Sequence, residues 1–166
     1  MNPWYLITLT GQPEVWLAFT GVLALVYLFF RKRLNNEKIE NVRKGFFVLI
    51  VSVWLTTGIV FGLKNLVNVQ RPCTPCEGAV EECNPYCLLD NSFPSGHSAV
   101  IFAVFTSLYI TAKKKELTIM FAVPFLVAVS RYFLVVHYMT DVITGSIIGV
   151  LVPIAVLLFY EKKFGH

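Results

Sequence analysis

Five apolar runs, each close to the length that crosses a bilayer, restrict this fold more than any other feature of the chain. A spanning helix needs about 20 mostly apolar residues, because hydrocarbon offers no water to an unsatisfied backbone. The runs cover about residues 15–30, 46–63, 96–112, 117–136 and 142–160. The amino-terminal stretch NPWYLITLTG is too short to span. It carries Trp4 and Tyr5, which favour the headgroup level, and reads as a short interfacial helix. The whole chain is 56% hydrophobic and only 14% charged, against roughly 25% charged in soluble domains, and its mean hydropathy is +0.66. The expectation is an all-α integral membrane protein with five transmembrane helices plus the interfacial helix. Its 166 residues suit a single domain, 1–166. The first charge is Glu14, with no basic region ahead of an apolar one, so the first run is expected to be a retained helix and not a cleaved signal.

Basic residues give the orientation. Five spans put the loop RKRLNNEKIENVRKG, the turn AKKKE and the tail EKKFGH on one side. These contain Arg31, Lys32, Arg33, Lys38, Arg43, Lys44, Lys113, Lys114, Lys115, Lys162 and Lys163, eleven of the fourteen Lys and Arg. By the positive-inside rule that side is the cytoplasm, and topology explains these runs without any nucleic-acid partner. The protein is then expected in the cytoplasmic (inner) membrane as a multi-pass protein. Lys64, Arg71 and Arg131 fall on the opposite face, periplasmic or exterior, where topology gives no reason for a cation.

That face also carries the one long outer loop, residues 72–94, with Cys73, Cys76, Cys83 and Cys87. The C-x2-C-x6-C-x3-C spacing offers four zinc ligands, but an oxidising compartment favours two disulfides, which would staple the loop. Three pairings are open. A redox role for CTPC lacks the strand and helix pattern that such chemistry uses.

A charge inside an apolar segment is costly and marks function. Three stretches supply such groups: KNLVNVQRP with Lys64 and Arg71; FPSGHSAV with Pro94, Ser95, Gly96 and His97; and SRYFLVVHYMTD with Ser130, Arg131, His137 and Asp141. All three emerge on the outer side. Singly, an arginine near a span end snorkels, and a membrane histidine is a packing residue. Together they make a site. Three cations repel one another unless an anion sits among them, and arginine matches phosphate oxygens. The turn at Ser95-Gly96-His97 opens a helix whose N–H groups bind anions, Gly96 permits close approach, and Pro94 leads the chain in. If His137 and Asp141 share a helix, their i, i+4 spacing puts them on one face. The carboxylate then fixes the imidazole tautomer and leaves the other nitrogen to attack, while His97 protonates the leaving oxygen and later activates water. Trp54, Phe47 and Phe102 read as packing or lipid-facing, His166 as a tail residue, and Glu77, Glu81 and Glu82 as a solvated loop face.

These motifs resemble the type 2 phosphatidic acid phosphatase (PAP2) family, which includes the vanadium haloperoxidases. Its pattern, K-x6-RP, then PSGH, then SR-x5-H-x3-D, matches Lys64…Arg71-Pro72, Pro94-Ser95-Gly96-His97 and Ser130-Arg131…His137…Asp141 at every position. The resemblance implies a PAP2-like helical bundle and a lipid phosphatase that needs no metal or other cofactor. It makes His137 the nucleophile, Asp141 its orienting partner and His97 the acid. Lys64, Arg71, Ser95, Gly96 and Arg131 become the phosphate ligands. The partner is a membrane lipid phosphate reached from the bilayer. Among family substrates, which also include phosphatidate, the small size and tight loops resemble the phosphatases of lipid A 1-phosphate, phosphatidylglycerophosphate and undecaprenyl diphosphate, and likeness alone favours lipid A 1-phosphate. The four-cysteine loop is outside the family pattern, and five spans are fewer than the six common in it. Rival readings are a lipid phosphotransferase with the same residues, vanadate peroxidase chemistry, whose relatives are soluble, and an anion channel. A channel would spread its cations through the membrane depth, whereas these three lie at one face.

Overall fold

The computed structural model describes residues 2–30, 37–76, 83–112 and 115–164. Arg31, Lys32, Arg33, Lys113, Lys114, Glu77, Glu81, Glu82 and His166 lie outside the described residues, as do the side chains of Lys38 and Lys115. The order is α1 (Pro3–Leu9), α2 (Pro13–Phe30), α3 (Glu37–Val67), α4 (Gly96–Ala112), a 3-10 helix (Lys115–Phe121), α5 (Ala122–Phe133) and α6 (Met139–Phe164). Among the described residues there is no strand, only an isolated bridge between Pro75 and Asn84.

Three helical stretches are long and apolar enough to cross a membrane: Pro3–Phe29, Glu40–Val67 and Met139–Phe164. Gly96–Ala112 and Thr118–Phe133 are apolar but shorter, so the length criterion gives three spans where five were expected. The 17 residues of α4 cover about 25 Å at 1.5 Å each, just under a bilayer core. The fourth run is split, its first part wound as the 3-10 helix.

Local chemistry sets the ends. The Asn2 side chain accepts the Trp4 N–H at 3.0 Å with Pro3 at the first helical position, which starts α1. α3 stops at Asn68, whose φ of 48° is the left-handed conformation common just past a helix end. The short amino-terminal helix expected from the sequence forms as α1 and packs against α5, with Trp4 stacked on Phe133 at 4.7 Å.

The core is built around α4, which packs against α6, α3, α5 and α2. Val100 and Val104 meet Leu49 and Val53 of α3, while Val48 meets Val152 and Val156 of α6. Gly145 and Gly149, one turn apart on α6, bring that helix onto the α4 backbone. A Cβ there would come within 2.4 Å of the Ser95 carbonyl oxygen and 2.3 Å of that of Ala99. Close small-residue packing replaces the hydrophobic drive that lipid removes. Phe29, Phe61, Leu25 and Trp54 point outward, an arrangement that suits lipid and would be costly in water; Phe47 packs on Tyr160 and Phe102 approaches Phe121. Lys44 pairs with Glu161, so the start of α3 meets the end of α6 and the two helices run antiparallel. The opposite ends of both helices carry Lys64 and Asp141.

The four cysteines form two nested disulfides, Cys73–Cys87 and Cys76–Cys83. Asn84 anchors the stapled loop, donating through Nδ2 to the Leu134 carbonyl at 2.8 Å and through its N–H to the Thr74 carbonyl at 2.9 Å. Tyr86 stacks on Tyr5 at 4.7 Å. The loop is therefore pinned to both α1 and the α5–α6 connection.

Candidate active site

His137 sits in the connection between α5 and α6, not on the helix itself, because α6 begins at Met139. The four-residue spacing still works. Asp141 lies in the first turn of α6, where its Oδ2 accepts the Tyr138 N–H at 2.9 Å and stands 3.4 Å from His137 Nδ1. The connection turns back at Val135, whose φ of 55° is unusual for a β-branched residue. Such strain persists only where surrounding structure holds it.

Ser92 completes this group. Its Oγ donates to Asp141 Oδ2 and lies 3.3 Å from His137 Nδ1. On the other side of the ring, Arg71 Nη1 is 3.1 Å from Nε2 and donates to the Val136 carbonyl at 2.8 Å. A guanidinium only donates, so Nε2 is the accepting nitrogen and the ring proton is on Nδ1, facing Ser92 and Asp141. His137 is only 2% exposed. Burial pushes its pKa down to about 4, the Asp141 hydrogen bond opposes this, and the charges of Arg71, Arg131 and Lys64 add to the fall. The imidazole is neutral at pH 7, with an unprotonated Nε2 among cations.

The helix start is wired to the same cluster. The Ser95 N–H donates to the Asp141 carbonyl at 3.0 Å, and Ser95 Oγ accepts from Ser98 Oγ at 3.0 Å and, at 3.5 Å, from the Ser98 N–H. The sequence suggested that the whole 95–97 turn offers amides to an anion. Ser95's amide is instead used on α6, which leaves Gly96 and His97 as the first donors of α4. Packing alone does not demand glycine at 96, since a Cβ there would meet Pro13 and Val60 at ordinary distances. His97, in the first turn of α4, lies within electrostatic range of Arg131, His137, Arg71 and Lys64.

The cations are not left to repel one another. Lys64 Nζ donates to Asp90 Oδ2 at 2.6 Å and to the Asn91 carbonyl. Arg71 donates through Nη2 to Asp90 Oδ1 at 2.6 Å and through Nε to the Asp90 carbonyl at 3.0 Å. Burial works to raise the Asp90 carboxyl, but hydrogen bonds from Lys64 and Arg71 and their charges hold it below the usual carboxylate range. Arg131 is buried; its Nη1 donates to Thr8 Oγ1 at 2.9 Å, and its Nε is buried with no partner among the described residues.

Asp90, Ser92 and Thr8 are the functional neighbours that sequence reading missed. Asp90 is the one acid between Cys83 and His97, and Ser92 stands two residues before Pro94, so both carried a positional signal. Thr8 carried none, being 123 residues from its partner.

No curated protein matches the sequence. Among solved structures, the fold is similar to that of LpxE from Aquifex aeolicus, at a TM-score of 0.67 and 26% identity, covering 95% of this chain and 88% of that one. It is also similar to the first transmembrane PAP2 type phosphatidylglycerolphosphate phosphatase from Bacillus subtilis, at a TM-score of 0.64 and 25% identity, covering 98% of this chain and 80% of that one. The model of the PAP2 superfamily matches residues 45–164, a stretch that holds every site residue except Thr8, and the chain belongs to that superfamily.

Proposed function

We propose that this protein is a metal-independent phosphatase that hydrolyses a membrane lipid phosphate at the outer leaflet through a phosphohistidine on His137. The single observation that carries the reading is the orientation of His137: Nδ1 faces Ser92 and Asp141, and the accepting Nε2 faces Arg71. Nε2 attacks phosphorus in line, the bond from phosphorus to the lipid oxygen breaks, and His97 gives that oxygen its proton. His97 then takes a proton from water, whose oxygen attacks phosphorus. The phosphorus–nitrogen bond breaks and phosphate leaves. Lys64, Arg71, Arg131, the Gly96 and His97 amides and the Ser95 hydroxyl neutralise the charge that a metal would otherwise meet.

For the substrate, we favour the 1-phosphate of lipid A, on the likeness of this small, tight-looped chain to bacterial phosphatases of that class. Phosphatidylglycerophosphate is the second reading, favoured by the similarity to the Bacillus subtilis enzyme; undecaprenyl diphosphate is a further candidate. In this account the chain is one domain crossing the inner membrane five times, with the disulfide loop outside.

The test is phosphate release by purified protein in detergent with EDTA. The panel is lipid A, phosphatidylglycerophosphate, phosphatidate and undecaprenyl diphosphate, each beside His137→Ala. EDTA-resistant release from one lipid, absent in the variant, is expected. Release dependent on added metal, or unchanged in the variant, contradicts the reading. Transfer to an acceptor lipid with little free phosphate would make the protein a phosphotransferase.

A further inference from the structure

Asp90 takes no step in the catalytic cycle, yet it holds the best donors. Its two carboxylate oxygens each take a 2.6 Å charge-assisted hydrogen bond, one from Lys64 and one from Arg71. Those are the groups the proposed function assigns to phosphate, and two oxygens of one phosphoryl group would need the same donors. The Arg71 side chain is buried at 4% exposure and that of Lys64 is mostly covered at 13%, while the Asp90 side chain is 49% exposed. The carboxylate therefore caps two buried charges from the solvent side, relieving the cost of leaving them unpaired. It can swing outward while the neighbouring chain stays anchored by Cys73–Cys87, by Asn84 on the Leu134 carbonyl, and by the Ser92 N–H on the Val69 carbonyl at 2.7 Å.

We infer that Asp90 is an internal competitor that holds the Lys64–Arg71 position and sets a threshold for anions: a phosphomonoester dianion binds strongly enough to displace it and a phosphodiester monoanion does not. The inference rests on the phosphate-site reading. Replacing a carboxylate by a diester exchanges one single charge for another and gains nothing. A monoester brings a second charge and a third terminal oxygen, and the buried Nε of Arg131, without a partner among the described residues, is a donor in reserve for such a group. The distinction matters in a bilayer, where bulk phospholipid headgroups are diesters in large excess over any monoester.

The test compares binding of inorganic phosphate and of dimethyl phosphate to the purified full chain in detergent at pH 8, by isothermal titration, for the natural protein and Asp90→Asn. The natural protein should prefer phosphate clearly. In Asp90→Asn both anions should bind about tenfold tighter, because each must displace the same carboxylate, and dimethyl phosphate should become measurable beside phosphate. Weaker binding of both anions by the variant would make Asp90 an orienting clamp and overturn the inference, as would unchanged affinities. Should Asp90→Asn fail to give a monodisperse elution profile, Asp90→Ser carries the same prediction. Binding of neither anion by the natural protein would remove the phosphate site itself and this inference with it, whereas unchanged affinities in Asp90→Asn overturn the inference alone and leave that site standing.

Discussion

At the residue scale, the environment of His137 makes predictions about pH. Its folded pKa of about 4 lies below the ordinary 6.5, so between those values the unfolded chain binds more protons than the folded one. The contribution of this group to stability is complete above 6.5 and is lost as pH falls toward 4. Melting temperature should decline over that window, and the decline should be smaller in His137→Gln. A decline of equal size in His137→Gln would contradict this reading. Thr8 offers a second check at this scale. Thr8→Val keeps the volume but leaves buried Arg131 without its hydroxyl partner, a loss of about 1–3 kcal/mol. KM should rise more than kcat falls, and Thr8→Ser should restore both. A Thr8→Val enzyme with unchanged KM would make the contact incidental. Charged and titratable types at fixed spacings pointed to Lys64, Arg71, Arg131, His97, His137 and Asp141, and the structure brings them to one end of the bundle. Thr8 was not legible, because an uncharged hydroxyl in an apolar chain costs little to place and so announces nothing, and Ser92 carried only its position close ahead of Pro94.

The site's precision comes from elements crossing closely. Gly145 and Gly149 have nearly the same clash distance against α4, yet only Gly145 faces the carbonyl of Ser95. An alanine at either position forces the helices apart, at about 1–3 kcal/mol, so both should lower the melting temperature. Gly145→Ala should also cut kcat, because it shifts the start of α4 and with it Ser95 and His97; Gly149→Ala should cut it much less. Equal losses of kcat would show that the crossing acts as one rigid unit. The disulfide loop is a second positioning element. Replacing Cys73 and Cys87 by serine removes a bridge over 14 residues, worth about 2–4 kcal/mol, and should lower kcat by loosening Ser92 against His137 and Asp141. Helix starts were legible where a chemical signal marked them: the run read at 96–112 is the helix Gly96–Ala112. The fourth run was not, since hydropathy is indifferent to whether apolar residues wind as a 3-10 or an α-helix, and α5 keeps only Ala122–Phe133.

For the whole molecule, the arrangement separates two ends. Lys44 and Glu161 meet at one, and Lys64, Asp90 and Asp141 gather at the other. The charge asymmetry of the loops made this legible in the sequence. The number of crossings was less so, because α4 and the 3-10–α5 segment fall near the length limit. In intact cells, Tyr138→Cys should react with a membrane-impermeant maleimide, and Thr118→Cys only after the membrane is opened. Labelling of both from outside would mean that α4 and α5 do not span.

The central claim is that His137 carries the phosphoryl group, and trapping that species tests it most directly. The purified enzyme would be mixed with its lipid substrate, quenched in alkali, where phosphohistidine survives, and its peptides read by mass spectrometry. A phosphoryl adduct on His137, formed within one turnover and absent from His137→Ala, is the predicted result. Steady turnover with no adduct on His137, or with the adduct on His97, would contradict the account.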